Sequence, residues 1–202
     1  MSNATRAACG LVFASLLGTG IGAAQGARLP FGLGGGVTMP TGAFHADSTG
    51  EGFNPGWQAM VLVHLKLTTR LGIRLDGTYG ENSANDKLKS DLTALLGQPS
   101  DANIKLTGGN VDLTYEFSSA SPMKLYLLGG VGMYKVKYSV TSGGVTRPTS
   151  ETKFSTNAGA GLIYAVGGAA LFLEARYVDS KKAFGIAKAS FFPITAGVRF
   201  GV

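Results

Sequence analysis

The feature that most constrains this chain is a period of two that recurs from about residue 31 to its end, with no apolar run in that part reaching helix-spanning length. The stretch from Phe191 to Val202 shows it plainly. Ile194, Ala196, Val198, Phe200 and Val202 are apolar, and Thr195, Gly197, Arg199 and Gly201 lie between them. Successive side chains on a strand point to opposite faces, so one face is apolar and the other small or charged. A soluble β-protein would turn the apolar face to a core. A membrane-spanning barrel would turn it outward to lipid and aim the polar face into the lumen. One strand cannot separate the two.

Seven further segments share the pattern: Phe31 to Pro40, Gly56 to Leu67, Leu71 to Tyr79, Ile104 to Phe117, Lys124 to Val140, Lys153 to Val166 and Leu171 to Val178. Most lie near the ~9–11 residues of a tilted membrane strand. The connections run long, short, long, short, long, short, long. Ala43 to Asn54, Glu81 to Asn103, Ser142 to Glu151 and Asp179 to Ala189 are the long ones. Within the second, Leu88, Leu92, Leu95 and Leu96 recur at helical spacing, which predicts a short amphipathic helix over Asp86 to Leu96. Long loops outside and short turns in the periplasm give this order in an outer-membrane barrel. A lipocalin-like meander has no reason to keep it. The reading is therefore all-β: an eight-stranded antiparallel up-and-down transmembrane β-barrel.

The polar faces agree. Inward parity falls on Lys66, Arg74, Asp76, Asp112, Glu116, Glu174, Arg176 and Arg199, four cations and four anions on five strands. An eight-stranded barrel is just wide enough for side chains to fill, so these charges are expected to form a structural network that plugs the lumen. Trp57, Tyr79, Tyr115, Phe117, Tyr164 and Tyr177 sit outward near strand ends, where interfacial aromatics belong. The 31 glycines, many inside apolar strands, suit inward positions of a narrow, strongly curved wall.

Residues 1–26 read as a secretory signal peptide, with Arg6 before the apolar run Ala7 to Gly22 and small residues at Gly22, Ala24 and Gly26. The barrel domain is then 27–202. Cys9, the only cysteine, would leave with the leader, and the formal charge would fall from +6 to +5. No basic cluster is interleaved with stacking aromatics, so nucleic acid is not expected as a partner.

In its segments GLGGGVTMPTG, YLLGGVGMY, FLEARY and FFPITAGVRF, the chain resembles the small bacterial outer-membrane barrels of the OmpA/OmpX-like family. The resemblance covers roughly Leu29 to Val202. It implies location in the outer membrane after passage through the periplasm, a surround of outer-membrane lipid and lipopolysaccharide, and handling by the barrel-assembly machinery. Members end in an aromatic residue that this machinery recognises. Here Phe200 and Val202 stand as the assembly signal, with Gly201 and Val202 added beyond the aromatic position. The peptidoglycan-binding domain of some relatives is not expected to follow.

Catalytic, cofactor and metal sites are not expected. Gly32, Gly34 and Gly36 fall within a strand rather than a phosphate loop. His45, Asp47 and Glu51 match no metal spacing and read as a solvated loop. An acyl hydrolase would need serine, histidine and acid at a lipid-accessible face, but His64 has inward parity and His45 has no serine partner. The leading expectation is a non-enzymatic, monomeric barrel with a structural or surface-interaction role, in which Lys181, Lys182, Lys188 and Arg147 of the loops could meet lipopolysaccharide headgroups. A narrow pore or conduit for small hydrophobic molecules is the first alternative. A soluble periplasmic lipocalin-like carrier is the second.

Overall fold

The computed structural model describes residues 30–42, 44–45, 52–118, 120–183 and 187–201, with the backbone alone at 181–183 and 187–189. Eight strands close into a barrel in sequence order: β1 Phe31–Gly42, β2 Gly56–Lys66, β3 Leu71–Ser83, β4 Ser100–Glu116, β5 Met123–Ser142, β6 Val145–Val166, β7 Ala169–Ala183 and β8 Ala187–Phe200. All neighbours are antiparallel, and β1 pairs with β8 from Phe31↔Phe200 to Gly42↔Ala189. Closure leaves no exposed sheet edge within the barrel wall, the condition for a sheet to sit in hydrocarbon. The expected signal peptide lies outside the described residues, as do Asp47, Glu51 and Val202.

Alternation sorts the side chains as a membrane barrel requires. Leu33, Val61, Leu75, Val111, Leu127, Leu162 and Leu173 face outward and are exposed, whereas Arg74, Asp76, Asp112, Glu174 and Arg176 face inward and are buried. Water as the outer solvent would favour the opposite arrangement.

The helix α1, Asp86–Leu96, forms at the expected residues. Asn85 caps it by accepting from the Leu88 backbone N–H, and Gly97 ends it in the left-handed region with φ 68°. Its Leu88 and Leu92 pack on a cluster of Phe53, Ala84, Ala102, Ile104, Leu106, Val136 and Phe191 at the long-hairpin end of the lumen.

Two expected long loops are largely taken up by paired strand among the described residues. The segment expected over Ser142 to Glu151 is a tight hairpin at Gly143–Gly144, both with positive φ, and β5 and β6 extend through it in register to Ser142↔Val145. The last one is shortened in the same way, with Lys182↔Lys188 and Ala183↔Ala187 paired beyond an irregularity between Asp179 and Lys182. Threonine and serine fill the first stretch, and lysine and alanine much of the second, both without apolar alternation, and they pair once the hairpin registers carry on past the lipid.

Register also explains the glycines. Large inward side chains stand directly opposite glycine on a neighbouring strand: Tyr126↔Gly161, Tyr134↔Gly108, Asp112↔Gly130, Asn110↔Gly132, Arg176↔Gly159, Phe172↔Gly197 and Arg199↔Gly32. A Cβ on Gly161 would clash with Cζ of the Tyr126 ring, and one on Gly130 with the Asp112 carboxylate. Each large residue folds over the bare backbone beside it. The narrow interior is filled as knobs over gaps.

Candidate functional site

The site is the lumen, built in three layers. The middle layer is ionic and starts from the same sequence device on two strands, an arginine and an acid two residues apart. β3 carries Arg74 and Asp76, and β7 carries Glu174 and Arg176. These strands lie four apart in a ring of eight, so they face each other across the lumen. Each arginine reaches the acid of the opposite wall. Arg74 grips Glu174 with both terminal nitrogens, the Nη2–Oε1 distance being 2.9 Å. Arg176 Nη2 donates to Asp76 Oδ2 at 2.9 Å. Within each strand, Arg74 also binds Asp76 at 3.1 Å and Arg176 binds Glu174 at 2.9 Å. Asp112 of β4 joins with its Oδ2 3.3 Å from Arg176 Nη1.

Neutral groups complete the layer. Asn110 donates to Asp76 at 2.7 Å and Asn157 to Asp112 at 2.8 Å. The Tyr126 hydroxyl donates to Glu174 at 2.6 Å, and the Tyr134 hydroxyl accepts from Asn110 at 2.8 Å. Charge-assisted, partly bidentate bonds of this kind are the strong ones, and burial removes the water that would weaken them.

The layer toward the short turns is apolar: Met60, Leu62, Tyr126, Leu128, Ile163, Ala170 and Phe172. Arg199 lies within it, 2% exposed, between two rings, with its guanidinium carbon 5.0 Å from the Tyr126 centroid and 5.5 Å from that of Phe172. Its Nε and Nη2 have no hydrogen-bond partner among the described residues. His64, also buried, contacts the Thr114 hydroxyl at 2.9 Å. It faces the lumen, away from any lipid substrate.

Toward the long hairpins the third layer is the apolar cluster on which α1 rests. Below it a small cavity of about 20 Å³, room for about one water, is lined by Thr38, Gln58, Thr78, Leu106, Tyr134 and Phe191 among others. Gln58 reaches over Gly36 of β1 to hydrogen-bond Thr195 of β8, closing the wall beside it.

Of the eight charges expected in the lumen, Arg74, Asp76, Asp112, Glu174 and Arg176 are joined, and three are not. Lys66 has inward parity but stands exposed at the end of β2, where the strand leaves the barrel, and no ion pair among the described residues ties it to the network. Glu116, two residues from the nearest turn, is partly exposed and only 3.9 Å from Arg199 Nη1. Arg199, expected to pair with an acid, is held mainly by aromatic rings. Parity gives direction but not depth, and depth decides which charges meet. Asn110 and Asn157 have the expected inward parity, whereas Tyr126 and Phe172, apolar at inward positions, are not marked by the alternation. The signal that could have found this pair is an inward side chain opposite a glycine, Gly161 for Tyr126 and Gly197 for Phe172.

At the open ends, Phe200 faces outward, 39% exposed, with its ring 5.1 Å from that of Phe31. Arg147 is exposed on β6, and the side chains of Lys181, Lys182 and Lys188 lie outside the described residues. Among the described residues, no cluster of three or more His, Cys, Asp or Glu side chains is arranged to hold a metal ion.

Residues 11–200 match the outer membrane protein beta-barrel domain. The chain belongs to that family. An outer-membrane barrel accounts for the apolar outer wall and excludes the soluble periplasmic carrier, which would expose that wall to water. Solved structures with the same fold include Neisserial surface protein A, 19% identical, covering 86% of this chain and 97% of that one with a TM-score of 0.60. Ail, the attachment invasion locus protein of Yersinia pestis, is 16% identical and covers 86% and 99%, with a TM-score of 0.50. A major outer membrane protein of Thermus thermophilus is 11% identical over the same shares, with a TM-score of 0.51. At such identities the likeness is one of fold. No curated protein matches the sequence.

Proposed function

We propose that this outer-membrane barrel is a non-enzymatic, monomeric protein with a structural or surface-interaction role, and that its lumen is shut to ions and solutes. The observation that carries the reading is the crossed pair of contacts Arg74–Glu174 and Arg176–Asp76, which tie opposite walls together at the middle of the lumen. The apolar layers above and below add to it, because a cation passing either would shed its water against apolar side chains. Activity then resides outside the lumen, in the hairpins that stand beyond the lipid.

Phe200 serves in this reading as the assembly signal for the barrel-assembly machinery, its exposed ring presented with Phe31 at the seam where β1 meets β8. Val202 is the second candidate at that end. Phe200→Ala is expected to lower the amount of heat-modifiable barrel in the outer membrane. Val202→Ala is expected to have the smaller effect.

The test of the closed lumen is conductance in planar bilayers. The wild-type chain is expected to produce no unitary steps. A stable conductance that changes on neutralising Arg74 or Arg176 would replace this reading by the narrow pore.

A further inference from the structure

The outer wall changes character abruptly where β4, β5 and β6 pass the far edge of the apolar band. Along β5 the outward residues run Leu125, Leu127, Val131, Met133, and the next two are Lys135 and Lys137, both exposed. Along β4, Val111 is followed outward by Gly109, Thr107 and Lys105. The register sets Lys105 directly opposite Lys137 and Thr107 opposite Lys135. On the other side of β5, Lys135 faces Thr152 and Lys137 faces Ser150, both exposed. Three ammonium groups and three hydroxyls thus share one outward patch across three adjacent strands. One step toward the lipid lie Met133 and Phe154, themselves register partners and both exposed.

Like charges placed directly opposite on a sheet repel and destabilise it. Among the described residues only Lys105 of this pair has a carboxylate partner. Glu81 lies 3.3 Å from Lys105 and also accepts from Asn103 at 3.1 Å. Among the described residues no ion pair holds Lys135 or Lys137. The patch lies where acyl chains give way to headgroups, so the compensating charge is to be sought in the membrane. Aliphatic lysine stems can lie along the apolar wall while their ammonium groups reach that level.

We propose that Lys105, Lys135 and Lys137, with the hydroxyls of Thr107, Ser150 and Thr152, form a binding site for the phosphates of a phosphorylated glycolipid in the outer leaflet, whose acyl chains lie along Met133 and Phe154. The proposal rests on the outer-membrane surface role above and gives that role a partner chemistry and a place. It differs from the loop lysines singled out in the sequence. The six polar residues stand on paired strands, whose spacing is fixed before any lipid arrives.

The test uses the full chain in phosphatidylcholine vesicles that contain diphosphorylated lipid A, dephosphorylated lipid A, or neither, with bound glycolipid counted by native mass spectrometry. The wild-type barrel is expected to retain the diphosphorylated form selectively. Lys105→Gln, Lys135→Gln and Lys137→Gln should each weaken retention about fivefold, and the triple variant roughly a hundredfold. Lys124→Gln, at the short-turn end, should leave it unchanged. Equal retention by the triple variant and the wild type, or equal retention of the dephosphorylated lipid, would overturn the site. Displacement of the lipid by inorganic pyrophosphate at matched concentration would overturn the commitment to a lipid. Boiled and unboiled gel mobility separates these outcomes from a failure of the underlying reading. A folded barrel that ignores lipid A sinks only the site, and a wild-type chain with no heat shift sinks the barrel.

Discussion

Arg74 and Arg199 are both buried arginines on the inner wall, and they are held in opposite ways. Arg74 hydrogen-bonds two carboxylates on two walls, one of them through both terminal nitrogens, and has a third, Asp112, at 4.0 Å. Arg199 meets two aromatic faces and a single distant carboxylate, with two nitrogens unpartnered among the described residues. The difference teaches that a charge in this lumen does one of two jobs. In the middle layer it cross-links the barrel. Near the short turns it fills space as a flat, weakly hydrated plate between rings. Tyr126 joins the two regimes, since its hydroxyl binds Glu174 while its ring carries Arg199.

This contrast can be broken by substitution, with reversible urea unfolding from lipid vesicles as the measurement. The largest effect is expected for Arg74→Met, which leaves Asp76, Asp112 and Glu174 to share Arg176 as their cation, and for Glu174→Ala, which takes from Arg74 its bidentate partner on the opposite wall. Each should cost about 3–5 kcal/mol, the usual penalty for removing one partner of a buried ion pair. Gly161→Ala comes next. It leaves every charge in place but pushes the Tyr126 ring off its glycine, at about 1–3 kcal/mol. Asn85→Ala, which removes the cap of α1 far from both arginines, should cost about 1 kcal/mol and leave the lumen intact. Arg199→Met should fall within about 1 kcal/mol of the wild type, because methionine fills the slot between the rings without an unpaired charge. A cost for Arg199→Met as large as that for Arg74→Met would erase the distinction.

How far this was legible in the sequence varies with the physics. Alternation fixes which residues share a face, and the charged, glycine-rich faces of eight such strands suit the narrow inside of a barrel, so the strands, their faces and the barrel were readable. So was α1, where Asn85 and Gly97 mark the ends that the leucine spacing implies. The hairpins of β5–β6 and β7–β8 were not, because segments outside the lipid, Thr- and Ser-rich in the first and Lys- and Ala-rich in the second, have no apolar face to alternate. Lys66 and Glu116 were placed with the network because parity is blind to depth. Whether Arg74 meets Glu174 depends on barrel register and diameter, which no single strand encodes. The lysine patch was missed for a similar reason. Lys105 and Lys137 are far apart in sequence and become neighbours only when β4 and β5 pair.

The central claim is that side chains from opposite walls are coupled across the lumen. A double-mutant cycle on Arg74 and Glu174, set beside one on Arg199 and Glu116, tests it most directly. The first pair should show a coupling of about 2 kcal/mol or more, and the second about 0.5 kcal/mol or less. Additive effects of Arg74→Met and Glu174→Ala would contradict the account, since two residues that do not feel each other cannot hold the two walls together.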